Sequence, residues 1–277
     1  MSPLVFVTTL FGVSLGAGFL GSLIGLGGGI VIVPALTLLY GIDIRYAIGA
    51  SIVSVIATSS GAAAAYVRER LTNLRTGMFL ELGTTTGAIT GAFVAGVLRG
   101  RWLFVIFGVV MGYSAVAMLR RVHQPDQPVP ADRWADRLRL HGSYFDQARG
   151  VEVAYRVTRT WVGLGLMYVA GMISGLLGIG SGALKVPAMD LAMRIPIKVS
   201  SATSNFMIGV TAAASAGVYF ARGDIDPIIA AAVAVGVTLG ATLGSRVLTR
   251  AHSHMIRLVF VVVLLIVSAQ MVWKGLR

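Results

Sequence analysis

Long apolar runs, parted by short polar or glycine-rich interruptions, set the pattern of this chain. The runs 3–24, 47–67, 77–98, 102–119, 161–177, 199–221, 227–248 and 255–272 lie near or above the ~18 residues that a spanning helix needs. They predict an all-α polytopic membrane protein, with long helices over 3–24, 45–67, 77–98, 101–119, 160–177, 197–221, 226–248 and 254–274. Two shorter apolar stretches, 30–40 and 183–193, follow glycine-rich breaks at 25–29 and 178–182. About 11 residues at 1.5 Å each rise only ~16 Å, too little to cross a ~30 Å hydrocarbon core. Each stretch is therefore expected as a half-helix or part of a re-entrant hairpin.

The two breaks, "GLGGGIVIVP" at Gly25 and "GIGSGALKVP" at Gly178, lie 178 − 25 = 153 residues apart. That offset persists without a gap well past them: Ala17–Gly18 matches Ala170–Gly171, Ser51 matches Ser204, Thr58 matches Thr211, and Gly83, Thr85, Gly87 and Gly91 match Gly236, Thr238, Gly240 and Gly244. Over 17–91 against 170–244 there are 21 identities in 75 positions. Small-residue bias alone does not keep one register through prolines and glycines, so the chain reads as a duplication. The expected organisation is a first repeat over 1–119, a polar connector over 120–159 and a second repeat over 160–277. Each repeat holds a glycine-broken helix hairpin plus three spanning helices.

Charge orients this arrangement. The loop carrying Arg68, Arg70 and Arg75 is basic, whereas its counterpart pairs Arg222 with Asp224 and Asp226. Under the positive-inside rule this reversal implies repeats of inverted topology, with the Arg-rich connector cytoplasmic and both termini outside; Lys274 and Arg277 fit that scheme least well. The connector predicts a short interfacial helix over 134–140 and two short strands around Ala148–Arg149–Gly150.

Only 12% of the 277 residues are charged and 56% are hydrophobic, which places most of the chain in lipid. The net charge of +12 belongs to cytoplasmic loops rather than to a nucleic-acid surface. The first run lacks a preceding basic residue and leads straight into further spans, so it is expected as the first helix of the mature protein. There is no cysteine, hence no disulfide, thiolate metal site or cysteine nucleophile. His123, His141, His252 and His254 fall in loops without metal-ligand spacing, and no nucleophile or paired carboxylate marks an enzyme. No cofactor or metal is expected. The partners expected are a small anionic substrate and the bilayer, with a homodimer left open.

"GLGGG" lacks the Lys-Ser/Thr of a phosphate loop and the strand of a dinucleotide fingerprint. Three successive glycines favour unwinding over close packing, whereas Gly12, Gly16, Gly87, Gly91, Gly240 and Gly244 suit helix packing. An unwound turn that opens a half-helix leaves amides free at the positive end of its dipole. In an inverted repeat two such ends would approach one midplane site. The expected substrate site is thus the backbone of Gly27, Gly28, Gly29 and Ile30 with that of Gly180, Ser181, Gly182 and Ala183.

Lys185 replaces Ile32 of the first repeat and is either functional or a lysine snorkelling to the interface, with Asp190 its partner only if the helix is distorted. Asn205 replaces Ile52, and with Ser51, Ser204, Thr58 and Thr211 could line the pathway. Glu81 reads first as a charge near a helix start and second as a proton-coupling group.

The doubled "GLGGGIVIVPAL" and "GIGSGALKVPAM", followed by Ser/Thr-rich helices, resembles the TauE/SafE sulfite-exporter family across all but the connector. The resemblance implies an inner-membrane carrier that exports a small sulfur oxyanion or organosulfonate, such as sulfite or sulfoacetate. It attaches to Gly25, Gly27, Gly28, Gly29 and Pro34 and to Gly178, Gly180, Gly182 and Pro187, while Ser181 departs from it. The expected function is secondary transport by alternating access; a passive anion channel and a permease subunit that needs a partner protein are the alternatives.

Overall fold

The computed structural model describes residues 3–24, 28–68, 71–119, 131–146, 150–248 and 253–277. The segment expected as the first repeat holds α1 (Pro3–Ile24), α2 (Gly29–Pro34) running into a π-helical turn (Ala35–Leu39), α3 (Ile44–Arg68), α4 (Leu74–Val97) and α5 (Gly100–Leu119). The connector contributes α6 (Arg133–Arg137), β1 (Gly142–Asp146) and β2 (Val151–Tyr155). The segment expected as the second repeat holds α7 (Thr160–Leu177), α8 (Gly182–Pro187) with its π turn (Ala188–Ala192), α9 (Ile197–Ala221), α10 (Pro227–Leu248) and α11 (Ser253–Leu276). It is an all-α membrane protein. Among the described residues, Leu74–Val97, Gly100–Ala117 and Thr160–Leu177 are long and apolar enough to cross a bilayer by length and composition. Large apolar side chains such as Val97, Phe220 and Phe93 point outward, as lipid-facing residues do.

The offset of 153 holds for the elements too. α2, its π turn and α3 begin and end 153 residues before α8, its π turn and α9. The short helices correspond bond for bond. Val31 and Ile32 donate to the carbonyl of Gly28 as Leu184 and Lys185 donate to that of Ser181, and Ile42 donates to Leu36 as Ile195 donates to Met189. Pro34 and Pro187 cause the π turns, since each lacks the N–H that would continue the α ladder.

Packing crosses between the repeats: α1 lies on α10, α4 on α7, α3 on α9 and α5 on α11. Glycine against backbone seals the first two pairs. A Cβ on Gly87 would run into the carbonyl of Tyr168, one on Gly175 into that of Ala88, and one on Gly240 into that of Leu15. Gly91 is placed the same way against Met172. Gly12 and Gly16, expected to pack likewise, have nothing within 4 Å, because α1 turns its other face, with Gly18, toward Val237. The side chain position of Gly244 lies outside the described residues.

Contacts fix the helix directions. Arg45 at the start of α3 donates to the carbonyls of Gly96 (3.4 Å) and Leu98 (3.0 Å) at the end of α4. Near the start of α9, Thr203 instead accepts from the amide of Asn73, which caps the start of α4. Hence α3 and α9, equivalent in sequence, run in opposite directions. The end of the molecule with Arg45 also holds the Phe6–Tyr40 ring contact and Lys274, whose ammonium donates to the Thr37 carbonyl (2.7 Å).

The connector closes the other end. Its strands pair antiparallel, Gly142 opposite Tyr155 through Asp146 opposite Val151, and Gly150 has φ +66° beside the turn, whose Ala148 and Arg149 lie outside the described residues. The helix expected over 134–140 is shorter, Arg133–Arg137, because it is capped by Asp132 and ends at Leu138, ahead of the left-handed Arg139. Asp132 also takes the amide and hydroxyl of Thr160 (both 2.7 Å), fixing the start of α7. Asn73 donates to the Leu140 carbonyl (2.9 Å) and the Tyr155 hydroxyl (2.8 Å), fixing the start of α4.

Candidate functional site

The two glycine breaks meet. A Cβ on Gly29 would come within 2.7 Å of the Gly178 carbonyl oxygen, and Ser51 on α3 donates its hydroxyl to that same oxygen (2.7 Å). Gly180 faces Val55 of α3 and Ile208 of α9. Three of the expected site segments, around Gly29, Gly180 and Ser51, are thus brought together.

The breaks differ in how they use glycine. In the second, Gly178 (φ +67°), Gly180 (φ +75°) and Ser181 (φ +40°) are left-handed, the unwinding expected from the sequence. A serine there carries strain of ~1–2 kcal/mol that glycine would not. In the first, Gly28 is right-handed (φ −67°) and Gly29 already lies in α2, so neither is unwound. Glycine is needed there for space: a Cβ on Gly28 would sit 2.9 Å from Cγ1 of Val237. Gly27 lies outside the described residues. Ile30 is buried in the first turn of α2, and Gly182 and Ala183 form the first turn of α8, where an amide has no earlier helical carbonyl to bond.

Lys185 is completely buried, so it does not snorkel. Its ammonium donates to the Thr211 hydroxyl (2.6 Å), and that hydroxyl in turn lies 2.7 Å from Oε1 of Glu81, to which Thr85 also donates (3.1 Å). Two opposite charges that would each cost ~2.5–3.5 kcal/mol alone at mid-helix are held in one hydrogen-bonded set. Glu81 is the eighth residue of α4 and 9% exposed; the first turn of that helix holds no acidic residue. Its expected role as a charge near the helix start gives way to a buried partner of Lys185. The positions equivalent at the 153 offset have none of this: Ile32 is buried apolar, Ala234 takes the place of Glu81 in sequence, and Thr58 bonds to the Ser54 and Val55 carbonyls of its own helix.

The buried polar atoms without a partner include Oγ of Ser181, Oγ of Ser204 and Oε2 of Glu81. Asn205, beside Ser204, is buried as well. Asp190, the alternative partner considered for Lys185, is buried within the π turn. Below the charged set toward the connector lies an apolar layer of Leu80, Met189, Met193 and Met207, continued by Leu140 and Val157. A separate groove of about 200 Å³, lined by Ile30, Pro34, Leu38, Met111 and Leu264, offers an anion no charge. Among the described residues no three His, Asp or Glu cluster as metal ligands would.

Sequence reasoning named Lys185, Thr211 and Glu81 singly and missed that they are one unit. The available signal was a carboxylate and a lysine, each in an apolar run and each replacing an apolar equivalent.

A family profile described as Sulfite exporter TauE/SafE matches residues 10–271. The chain is 29% identical over 267 residues to the "Probable membrane transporter protein YunE" of Bacillus subtilis (strain 168), covering 94% of this chain and 95% of that protein. It is 28% identical over 262 residues to a "Probable membrane transporter protein" of Xylella fastidiosa (strain 9a5c), covering 93% and 92%. No solved structure matches. With a polytopic helical fold, relatives named as transporters at nearly full length and a profile spanning residues 10–271, this chain is a multi-pass membrane protein that belongs to the sulfite exporter TauE/SafE family.

Proposed function

We propose that the chain is a secondary transporter that exports a small sulfur-containing oxyanion, sulfite or an organosulfonate such as sulfoacetate, across the inner membrane by alternating access. The observation that carries this reading is the fully buried Lys185 one turn from Ser181, at converging helix breaks, with the Ser181 hydroxyl there and the Ser204 hydroxyl on α9 both buried without a partner. An ammonium, free α8 amides and unpaired hydroxyls are what a trigonal or tetrahedral oxyanion needs, and burial removes competing water. The family name supplies the sulfur oxyanion. Burial of Lys185 behind the Leu80–Met193 layer, which separates it from the connector end, favours a carrier with a closed site over an open pore.

In this reading the repeats have inverted topology, the basic connector is cytoplasmic and both termini are outside. Each anionic charge leaving across 100 mV then gains ~2.3 kcal/mol. Sulfite counterflow in proteoliposomes tests the proposal. Labelled sulfite should accumulate against internal unlabelled sulfite, and silence across sulfite, sulfonates, sulfate and carboxylates would sink it.

A further inference from the structure

Glu81 and Lys185 are additions to a frame that is otherwise doubled. One comes from each repeat, their equivalents are Ala234 and Ile32, and they meet through Thr211. The carboxylate is unevenly satisfied. Oε1 is within bonding distance of the Thr211 and Thr85 hydroxyls, while Oε2 is buried with no partner. A buried acceptor left bare is costly, and Oε2 is the carboxylate oxygen with room for a further bond.

With the site empty, Lys185 and Glu81 neutralise each other. An oxyanion arriving at Lys185 puts two negative charges against one ammonium inside an apolar shell, and like charges at that spacing do not both persist. The remaining titratable groups on packed elements do not relieve this. Lys198 opens α9 and Arg75 opens α4, near the connector end; Tyr219, toward the other end of α9, donates to the Gly175 carbonyl, and Arg222 after it pairs with Asp224; Tyr168 on α7 bonds to Thr90; Asp132 and Tyr155 serve the connector joints; Asp190 lies in the π turn after α8.

Resting on the reading of the chain as an oxyanion carrier, we propose that Glu81 is an internal counter-anion and the proton-binding site of transport. When the substrate oxyanion takes its place beside Lys185, the carboxylate accepts one proton from water at Oε2, and it returns that proton when the anion leaves. Only an O–H bond forms and breaks. The empty site and the site loaded with a monoanion are then both neutral, and a dianion such as sulfite crosses with one net charge.

Calorimetric titration of sulfoacetate into the purified full-length protein at about pH 7.5, in buffers of different protonation enthalpy, tests this. Its carboxylate, with a pKa of ~4, and its sulfonate do not titrate there. The wild type should take up about one proton per anion bound, and its affinity should fall about tenfold per unit rise in pH. Glu81→Gln should bind with no uptake and a flat pH profile, and Glu81→Asp should retain the uptake. Binding without proton uptake by the wild type, or unchanged uptake in Glu81→Gln, overturns the proposal while leaving the carrier reading intact. Should Glu81→Gln not fold, loss of uptake in a binding-competent Glu81→Asp overturns it equally. A wild type that binds neither sulfoacetate nor sulfite removes the carrier reading, and this inference with it.

Discussion

Lys185 and Glu81 come from different repeats and share one hydroxyl, that of Thr211, at 2.6 and 2.7 Å. Each charge is tolerated because of the other. Removing one partner of a buried pair costs ~3–5 kcal/mol, whereas removing both costs far less. Lys185→Met should therefore lower the melting temperature in detergent, and the double variant Lys185→Met/Glu81→Gln should recover most of that loss. Both should lose sulfite binding by about 10–100-fold, the weight of a charged hydrogen bond. Additive losses of stability would show that the two charges do not interact.

Ser51 and Ser204 are equivalent at the 153 offset yet differently employed: Ser51 holds the Gly178 carbonyl, while Ser204 holds nothing. Ser51→Ala should cost about 1 kcal/mol of stability. Ser204→Ala should leave melting unchanged and weaken sulfite binding. The reverse pattern would place the ligand at the other break.

Asp132 joins the connector to α7. Burial raises its carboxyl pKa, and bonds from the amides of Thr160, Trp134 and Ala135 and the Thr160 hydroxyl more than offset this, so the net shift is downward. A lowered folded value means that the joint is fully present above the ordinary carboxylate range and is lost as pH falls through the folded value. Exchange of the Trp134, Ala135 and Thr160 amides should thus be slow at neutral pH and accelerate only below about pH 4. Asp132→Asn should exchange fast throughout. A wild-type rate that does not respond to acid would remove Asp132 from this role.

The helices were legible because lipid requires every spanning backbone group to be paired within its own helix, so apolar length alone locates them. The ends of α1, α7 and α9 fall where the hydrophobic runs place them. Roles that depend on a neighbour were not legible. Gly28 and Gly29 look like an unwinding signal in one dimension, but Val237 and Gly178, both distant in sequence, are what forbid a side chain there. Gly16 has the same small-residue spacing as Gly87, yet one faces open space and the other a carbonyl. Glu81 could not reveal Thr211, 130 residues away, because nothing local fixes which face of α4 meets α9.

The crossed pairing of α1 with α10 and α4 with α7 bears on how the molecule is made. As the chain is synthesised, Gly18 reaches the membrane 237 − 18 = 219 residues before Val237, the residue that it packs against. The first repeat therefore enters lipid with its glycine seams open, and α1 can close its own only after α10 is inserted. Assembly has to proceed from the middle of the sequence outward, α4 with α7 before α1 with α10, with the last quarter of the chain completing the fold of the first.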